Sequence, residues 1–278
     1  MSPSHYGWAT LAIAFLAGCG ESVAPFDGVH DFELRFDVGQ TVRSAVVHVP
    51  PSYDGSRAVP LVLAFHGAGM TGAQMQDFSG LDDPADRLGF VVVYPNGAPD
   101  WEAAEADDLP FARALIERLG DRLRIGRTYA TGFSRGGFFT MRLACEESRR
   151  FAAVGIVAAT MPADLAATCN PATRIPTLLM VGTLDLLVPI DGDSASGRLS
   201  ADSTIRLFAR RNGCNLQTPS VGYLPDTAAD NRRIRFERYL DCGAETILYV
   251  VEGGNHTWFG GDADAGWLIG AFFLSGGR

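Results

Sequence analysis

A serine stands between two glycines at the junction of a predicted strand and a predicted helix. Residues 132–136 read Gly-Phe-Ser-Arg-Gly and fit the pattern G-x-S-x-G, with the apolar run Thr128–Thr131 before them and a helical pattern from Gly137 after them. Side chains at the glycine positions would collide with the sharp turn that such a serine needs. The helix N-terminus behind the serine favours negative charge that develops beside it. The pattern therefore predicts Ser134 as a nucleophile for acyl transfer.

The base that takes the proton of this serine is predicted to be a histidine. A serine hydroxyl is a weak nucleophile near neutral pH, so it needs a neighbouring base and a carboxylate that orients that base. In the fold to which G-x-S-x-G belongs, the chain order is serine, acid, histidine. His256 is the only histidine after Ser134, and it follows the apolar run Ile247–Val251. The sequence thus singles out His256.

The acid is expected just beyond a strand, where it can meet the imidazole. The apolar run Thr177–Val181 is followed by Gly-Thr-Leu-Asp-Leu-Leu-Val-Pro, which places Asp185 a few residues after the strand end. Asp191 and Asp193 lie nearby and are the alternatives, although either could instead cap the following turn. The spacing favours Asp185.

An acyl-transfer site also needs donors for the charged oxygen of its tetrahedral intermediate. The run Val59–Phe65 is followed by His-Gly-Ala-Gly, a turn whose backbone N–H groups can face a cleft. We expect the N–H groups of Ala68 and Arg135 to form this oxyanion hole, with Gly67 as a possible substitute. His66 is then a structural residue of the turn, and a role for it as base stays open.

Short apolar runs alternate with helical patterns along the chain. An opening strand pair is predicted at Asp31–Val38 and Val42–Val49. The later runs have the composition of strands buried on both faces; they are Val59–Phe65, Phe90–Tyr94, Thr128–Thr131, Ala152–Ala158, Thr177–Val181 and Ile247–Val251. Helices are predicted at Leu109–Leu119, Gly137–Glu147, Ser203–Arg211 and Gly266–Leu274. This alternation predicts an α/β fold with a mainly parallel sheet and helices on both faces.

The composition excludes several classes of function. The chain has 278 residues, 47% of them hydrophobic, and a formal net charge of -9, so it can bury a core but offers no basic surface for nucleic acid. All 23 basic residues are arginine, which rules out lysine Schiff bases, a lysine anchor for pyridoxal phosphate and the Walker A loop. The histidines and cysteines show no metal-binding spacing. We expect neither a metal nor a cofactor.

The N-terminus has the pattern of an export signal. The apolar stretch Trp8–Gly18 is shorter than the roughly 20 residues that span a bilayer. It ends in Leu-Ala-Gly-Cys, which resembles the bacterial lipobox, so we expect a signal peptide at residues 1–18, a lipid on Cys19 and one catalytic domain at residues 19–278. A plain secretory signal is the alternative. Either reading predicts export, with the lipid as the only contact to a membrane.

Four of the five cysteines follow residue 19. An even number in an exported chain predicts disulfide bonds. Three pairings are possible, and we favour Cys214 with Cys242 and Cys145 with Cys169 because each joins segments that are close in the order of elements.

Several motifs occur in order within the chain: His-Gly-Ala-Gly at 66–69, Gly-Phe-Ser-Arg-Gly-Gly at 132–137, Gly-Thr-Leu-Asp-Leu-Leu-Val-Pro at 182–189 and Gly-Gly-Asn-His-Thr-Trp at 253–258. Together they resemble the polyhydroxybutyrate depolymerase and feruloyl esterase group of α/β-hydrolases, which is classed with carbohydrate esterase family 1. The resemblance implies an α/β-hydrolase fold and a cofactor-independent Ser-Asp-His triad at Ser134, Asp185 and His256.

The leading hypothesis is an exported serine esterase that acts on carboxylic esters of 3-hydroxybutyrate, ferulate or acetate. Trp101 and Trp258 are candidates for the substrate pocket, although buried aromatic residues are commonly core residues. A serine peptidase of the same fold and a non-catalytic binding protein are the alternatives. The sequence does not indicate an oligomeric state.

Overall fold

The computed structural model describes residues 27–97, 100–101, 108–226 and 232–276. Within these ranges the chain forms one sheet of ten strands. The strands are β1 (Asp31–Val38), β2 (Thr41–His48), β3 (Val59–Phe65), β4 (Val91–Pro95), β5 (Ile125–Phe133), β6 (Val154–Val157), β7 (Thr177–Gly182), β8 (Asn215–Tyr223), β9 (Ile234–Leu240) and β10 (Thr246–Val251). Their spatial order is β1-β2-β4-β3-β5-β6-β7-β10-β9-β8.

The centre of the sheet is parallel, and antiparallel strands flank it on both sides. Strands β4, β3, β5, β6, β7 and β10 pair in parallel. Strands β1 and β2 extend one edge in antiparallel fashion, and β9 and β8 extend the other. Every residue of β4 and β7 is buried, as expected for strands with a helical layer on each face. The carboxyl ends of the parallel strands therefore share one edge of the sheet.

Helices cover both faces of this sheet. They are α1 (Gly72–Ser79), α2 (Asp82–Leu88), α3 (Asp108–Gly120), α4 (Arg135–Glu146), α5 (Ala163–Thr168), α6 (Ala201–Arg211) and α7 (Ala265–Leu274). Side chains of α3, α4 and α6 belong to the apolar core on one face, and those of α1, α2 and α7 belong to the core on the other. The predicted α/β fold with a mainly parallel sheet and helices on both faces is confirmed.

The sequence pattern does not predict β8, β9, α1, α2 and α5. Strand β8 lies at the sheet edge, most of its residues contact solvent, and Pro219 interrupts its pattern. Helices α1, α2 and α5 have eight, seven and six residues, which is too short for a helical period to be seen.

Two disulfide bonds tie outer elements to each other. Cys145 in α4 is bonded to Cys169 directly after α5, and Cys214 before β8 is bonded to Cys242 after β9. These are the two pairs favoured from the sequence. The expected signal peptide at residues 1–18 and the lipid site at Cys19 lie outside the described residues. In the part of the chain that the structure describes, no helix is long and apolar enough to cross a membrane.

Candidate active site

Ser134 stands on a strained turn between β5 and α4. Its φ of 53° and ψ of -115° lie in a region that residues with a side chain rarely adopt. The turn is held because the Ser134 N–H donates to the Val157 carbonyl at 2.9 Å. A Cβ on Gly132 would lie 2.2 Å from the Gly136 carbonyl oxygen, so this turn closes only with glycine. Strain at such a point exposes the hydroxyl at the sheet edge.

The same turn packs against the end of β3. A Cβ on Gly136 would lie 2.1 Å from the Phe65 carbonyl oxygen and 2.7 Å from that of His66. This close approach brings the first residue of α4, Arg135, next to the turn that contains the exposed Ala68. The two expected oxyanion donors therefore come from neighbouring segments at the carboxyl ends of β3 and β5.

A chain of hydrogen bonds joins the three residues that the sequence singles out. His256 Nε2 lies 2.9 Å from Ser134 Oγ, and His256 Nδ1 lies 2.7 Å from Asp185 Oδ2. The three residues come from the loops after β5, β7 and β10. With the proton on Nδ1, the imidazole donates to the carboxylate and its Nε2 can accept the serine proton.

Asp185 is the acid that reaches the histidine, and the two alternatives lie elsewhere. Asp185 is 3% exposed. Its second carboxylate oxygen, Oδ1, accepts hydrogen bonds from the backbone N–H groups of Leu187 and Val188 at 2.9 and 2.8 Å. Asp193 instead accepts a hydrogen bond from the Ala195 N–H and lies 3.6 Å from Arg198, and Asp191 is exposed to solvent.

His66 holds the His-Gly-Ala-Gly turn and is not placed as a base. It is 1% exposed, and its Nε2 accepts the Gly97 N–H at 2.9 Å. The proton therefore lies on Nδ1, which donates to the Gly67 carbonyl at 2.8 Å. Burial lowers the pKa of His66 from its usual value, which favours this neutral form. Both ring nitrogens are thus engaged, one with the backbone of the turn itself and the other with the backbone of the segment after β4.

The two candidate pocket tryptophans lie in different places. Trp101, 3% exposed, stacks on Phe139 of α4 at 5.3 Å between ring centroids and contacts the edge of Phe65 at 5.0 Å. It lines a cavity of about 360 Å³ beside α4. Trp258, 6% exposed, belongs to the apolar core on the opposite face and does not line this cavity. Its position, two residues after His256, indicates a packing role under the histidine loop.

The loop of the acid presents an apolar surface that the sequence reasoning missed. Leu184, Leu186 and Leu187 are 57%, 90% and 65% exposed, although they flank the buried Asp185. The ring centroid of Phe133, next to Ser134, lies 5.0 Å from that of His256 and 5.1 Å from that of the half-exposed Phe78. The sequence signal for this surface is a leucine-rich segment at a position where a loop is expected and a strand is not.

The described residues contain no group of three His, Cys, Asp or Glu side chains arranged as metal ligands.

Related sequences include several proteins named as esterases. The chain is 32% identical over 229 residues to NocK of Nocardia uniformis subsp. tsuyamanensis, which covers 73% of this chain. It is 28% identical to feruloyl esterase C of Emericella nidulans over 86% of this chain and 82% of that protein. It is 26% identical to feruloyl esterase B of Piromyces equi over 81% of this chain. The chain spans 66% of the length of the Nocardia protein and 44% of the Piromyces protein. No protein-family model matches the chain.

Solved structures show the same fold. The acetyl xylan esterase from Aspergillus awamori superimposes with a TM-score of 0.61 over 86% of this chain and 99% of that one, at 17% sequence identity. At this identity the likeness concerns the fold alone, and it includes nearly the whole of the solved domain.

Proposed function

Because the chain belongs to the carbohydrate esterase family 1-like group of α/β-hydrolase esterases, we propose that it hydrolyses carboxylic esters through an acyl-enzyme at Ser134. The observation that carries this proposal is the continuous hydrogen-bond chain from Ser134 Oγ through His256 to Asp185, at 2.9 and 2.7 Å. This series of hydrogen bonds satisfies the geometric requirement for a nucleophile, a base and a group that orients the base.

In the first half of the reaction, Ser134 Oγ attacks the ester carbonyl carbon while His256 Nε2 takes the serine proton. The carbonyl oxygen becomes an oxyanion, and the backbone N–H groups of Ala68 and Arg135 are the proposed donors to it. His256 then gives the proton to the alcohol oxygen as the C–O bond breaks. Asp185 stays ionised and stabilises the imidazolium that forms between these steps.

In the second half, water replaces the alcohol and the acyl group leaves as a carboxylic acid. His256 takes a proton from the water, whose oxygen attacks the acyl carbon, and it returns the proton to Ser134 Oγ when the ester bond to the enzyme breaks. No step needs a cofactor, because the serine, the histidine and the oxyanion donors supply the nucleophile, the proton transfers and the charge stabilisation.

We infer feruloyl or acetyl esters as the preferred substrates. Relatives named as feruloyl esterases and a structural neighbour named as an acetyl xylan esterase support this choice. Oligomers of 3-hydroxybutyrate are the second candidate. The exposed Leu184, Leu186 and Leu187 beside Asp185 offer an apolar surface that an acyl group of any of these esters can contact. The two disulfide bonds support export, since such bonds persist in oxidising compartments.

The test compares the wild type with Ser134→Ala on methyl ferulate, p-nitrophenyl acetate and a soluble 3-hydroxybutyrate oligomer. We expect kcat/KM to fall about 10⁴-fold or more on the best of the three substrates, and covalent labelling by a fluorophosphonate to disappear. Ser220→Ala, at an exposed position of β8, is the matched control and should behave as wild type. Equal turnover by Ser134→Ala and wild type would refute the mechanism, and no labelling of the wild type would favour a non-catalytic protein.

A further inference from the structure

Two side chains pack against Gly67 in the turn after β3. The Met70 N–H donates to the Gly67 carbonyl at 3.2 Å, which closes the turn around Ala68 and Gly69. A Cβ on Gly67 would lie 2.7 Å from Cδ1 of Phe133 and 3.4 Å from Sδ of Met70. The phenylalanine ring and the thioether therefore cover the same side of the turn that carries Ala68, the proposed oxyanion donor.

Phe133 connects this turn to the base. It is 7% exposed, directly precedes Ser134, and has its ring centroid 5.0 Å from that of His256. A change in packing at Gly67 is therefore passed to the turn on one side and to the histidine on the other. A misplacement of about 1 Å in an active site can cost about 100-fold in rate, so this contact bears on turnover.

Met70 is the methionine that solvent can reach in the described part of the chain. It is partly exposed and follows the exposed Ala68 and Gly69. The other described methionines are all 0% exposed; they are Met75, Met141, Met161 and Met180. The described cysteines are paired in two disulfide bonds, so no free thiol among them competes for an oxidant. Because oxidation follows exposure, Met70 is the sulfur that an oxidant meets first.

We propose that Met70 is a modification site for hydrogen peroxide and that its sulfoxide slows the esterase. The thioether sulfur attacks one peroxide oxygen, and an S–O bond forms as the O–O bond breaks. The second oxygen takes up the proton of the first and leaves as water, so the sulfur is oxidised by two electrons and the peroxide is reduced. The effect on turnover rests on the function proposed above, whereas the oxidation itself does not.

The sulfoxide disturbs the turn in either position that it can take. If Sδ stays against Gly67, the added oxygen has to displace Gly67 or the Phe133 ring. If the group turns to solvent, as its polarity favours, it leaves one side of the turn uncovered. Both changes misplace the proposed N–H donor of Ala68, which stabilises charge that forms only in the transition state. The loss should therefore appear in kcat, while KM stays nearly constant.

The experiment treats the wild-type protein with hydrogen peroxide and follows oxygen uptake by peptide mass spectrometry and turnover of p-nitrophenyl acetate by steady-state kinetics. We expect the first oxygen on Met70, with kcat falling about 10-fold in the same time course. Methionine sulfoxide reductases for both epimers should restore kcat, since they reduce the sulfoxide back to the thioether.

Met70→Leu keeps an apolar side chain of similar size but has no sulfur to oxidise. Relative to its own untreated activity, this variant should lose less than about a factor of two under the same treatment. Met75→Leu, at a buried position of α1, is the matched control and should lose activity as the wild type does.

Equal fractional losses in Met70→Leu and wild type would overturn the proposal, as would complete oxidation of Met70 with unchanged kcat. First uptake of oxygen at one of the buried methionines would overturn it as well. A wild type that hydrolyses no ester but takes up its first oxygen at Met70 would support the modification site and contradict the proposed function.

Discussion

Asp185 uses its two carboxylate oxygens for two separate purposes. Oδ2 faces His256 Nδ1, while Oδ1 accepts the backbone N–H groups of Leu187 and Val188. In the proposed mechanism the first contact orients the base, and the second contact closes the loop that displays the exposed leucines. A substitution that keeps the shape but changes the donor and acceptor pattern separates the two roles.

Asp185→Asn is such a substitution. Asparagine can still accept the two N–H groups through its carbonyl oxygen, but its NH₂ group then faces His256 Nδ1 and forces the proton of the imidazole onto Nε2. Because His256 Nε2 then has no lone pair toward Ser134, kcat/KM for the best ester should fall about 10³- to 10⁴-fold, while Tm should change little. Steady-state kinetics and thermal unfolding measure the two effects.

Asp193→Asn is the matched control, because Asp193 pairs with Arg198 and not with the histidine. It should retain kcat/KM within about a factor of two of the wild type. A loss below 10-fold in Asp185→Asn, or an equal loss in both variants, would contradict the assignment of the acid.

Single residues differ in how much of their role can be predicted from the sequence. The grouping of Ser134, Asp185 and His256 is predictable because G-x-S-x-G constrains the backbone around the serine and only one histidine follows it. Arg142 and Glu146 look like an ordinary charged pair on a helix surface. The cavity beside them forms only where α5 and Trp101 meet α4, and such a long-range contact leaves no local pattern.

Between elements, His48 connects the opening hairpin to α2. Its Nδ1 lies 2.8 Å from Asp31 of β1, and its Nε2 lies 2.8 Å from Asp86 of α2, with Asp82 at 3.8 Å. Burial lowers the pKa of His48, but the hydrogen bonds to Asp31 and Asp86 and the charges of Asp82 and Asp31 outweigh it and raise the pKa above 6.5. The protonated ring therefore links three carboxylates from two elements.

This link should make stability depend on pH. A folded-state pKa above the unfolded value means that the stabilisation is complete below about pH 6.5 and is lost as pH rises through the folded-state pKa. We expect wild type to exceed His48→Gln in Tm by a larger margin at pH 6 than at pH 9. Because the carboxylates of Asp31 and Asp86 are partly exposed, solvent screens the charges, and the margin should narrow by about 2–4 °C, or ~1 kcal/mol.

Measuring both proteins at each pH cancels the titration of groups that they share. Asp86→Asn removes one of the two hydrogen-bonded carboxylates. The Tm margin of wild type over Asp86→Asn should also be larger at pH 6 than at pH 9, but it should change less than the margin over His48→Gln. A margin that is constant with pH, or that grows toward pH 9, would show that His48 does not act through its charge.

The elements themselves are predictable to different degrees. The buried parallel strands and the longer helices follow from apolar periodicity, because each contacts the core along most of its length. Strands β8 and β9, the last two on one side of the sheet, are held by pairing with their neighbours and bury few residues fully, so their sequences carry a weak pattern. The sheet order cannot be read from local sequence, since it depends on which crossovers pack against one another.

At the scale of the whole molecule, the sequence features point to a protein that works outside the cytoplasm. Two disulfide bonds clamp α4 to the end of α5 and the start of β8 to the end of β9. Together they stabilise the contact of α4 with α5 and the edge of the sheet, and each restricts the unfolded chain. Such bonds agree with export, but they do not distinguish a free protein from one attached to a membrane.

Cys19 distinguishes the two, because the lipid expected on this thiol would attach the protein to a membrane. We expect Cys19→Ala to move the protein from the membrane fraction to the soluble fraction and to abolish incorporation of radiolabelled palmitate, since stable anchoring depends on buried acyl chains. Ser22→Ala, three residues further along, is the control and should fractionate and label as the wild type does. Identical fractionation and labelling of Cys19→Ala and wild type would contradict the lipid anchor and favour a plain secretory signal, while leaving the esterase mechanism at Ser134 untouched.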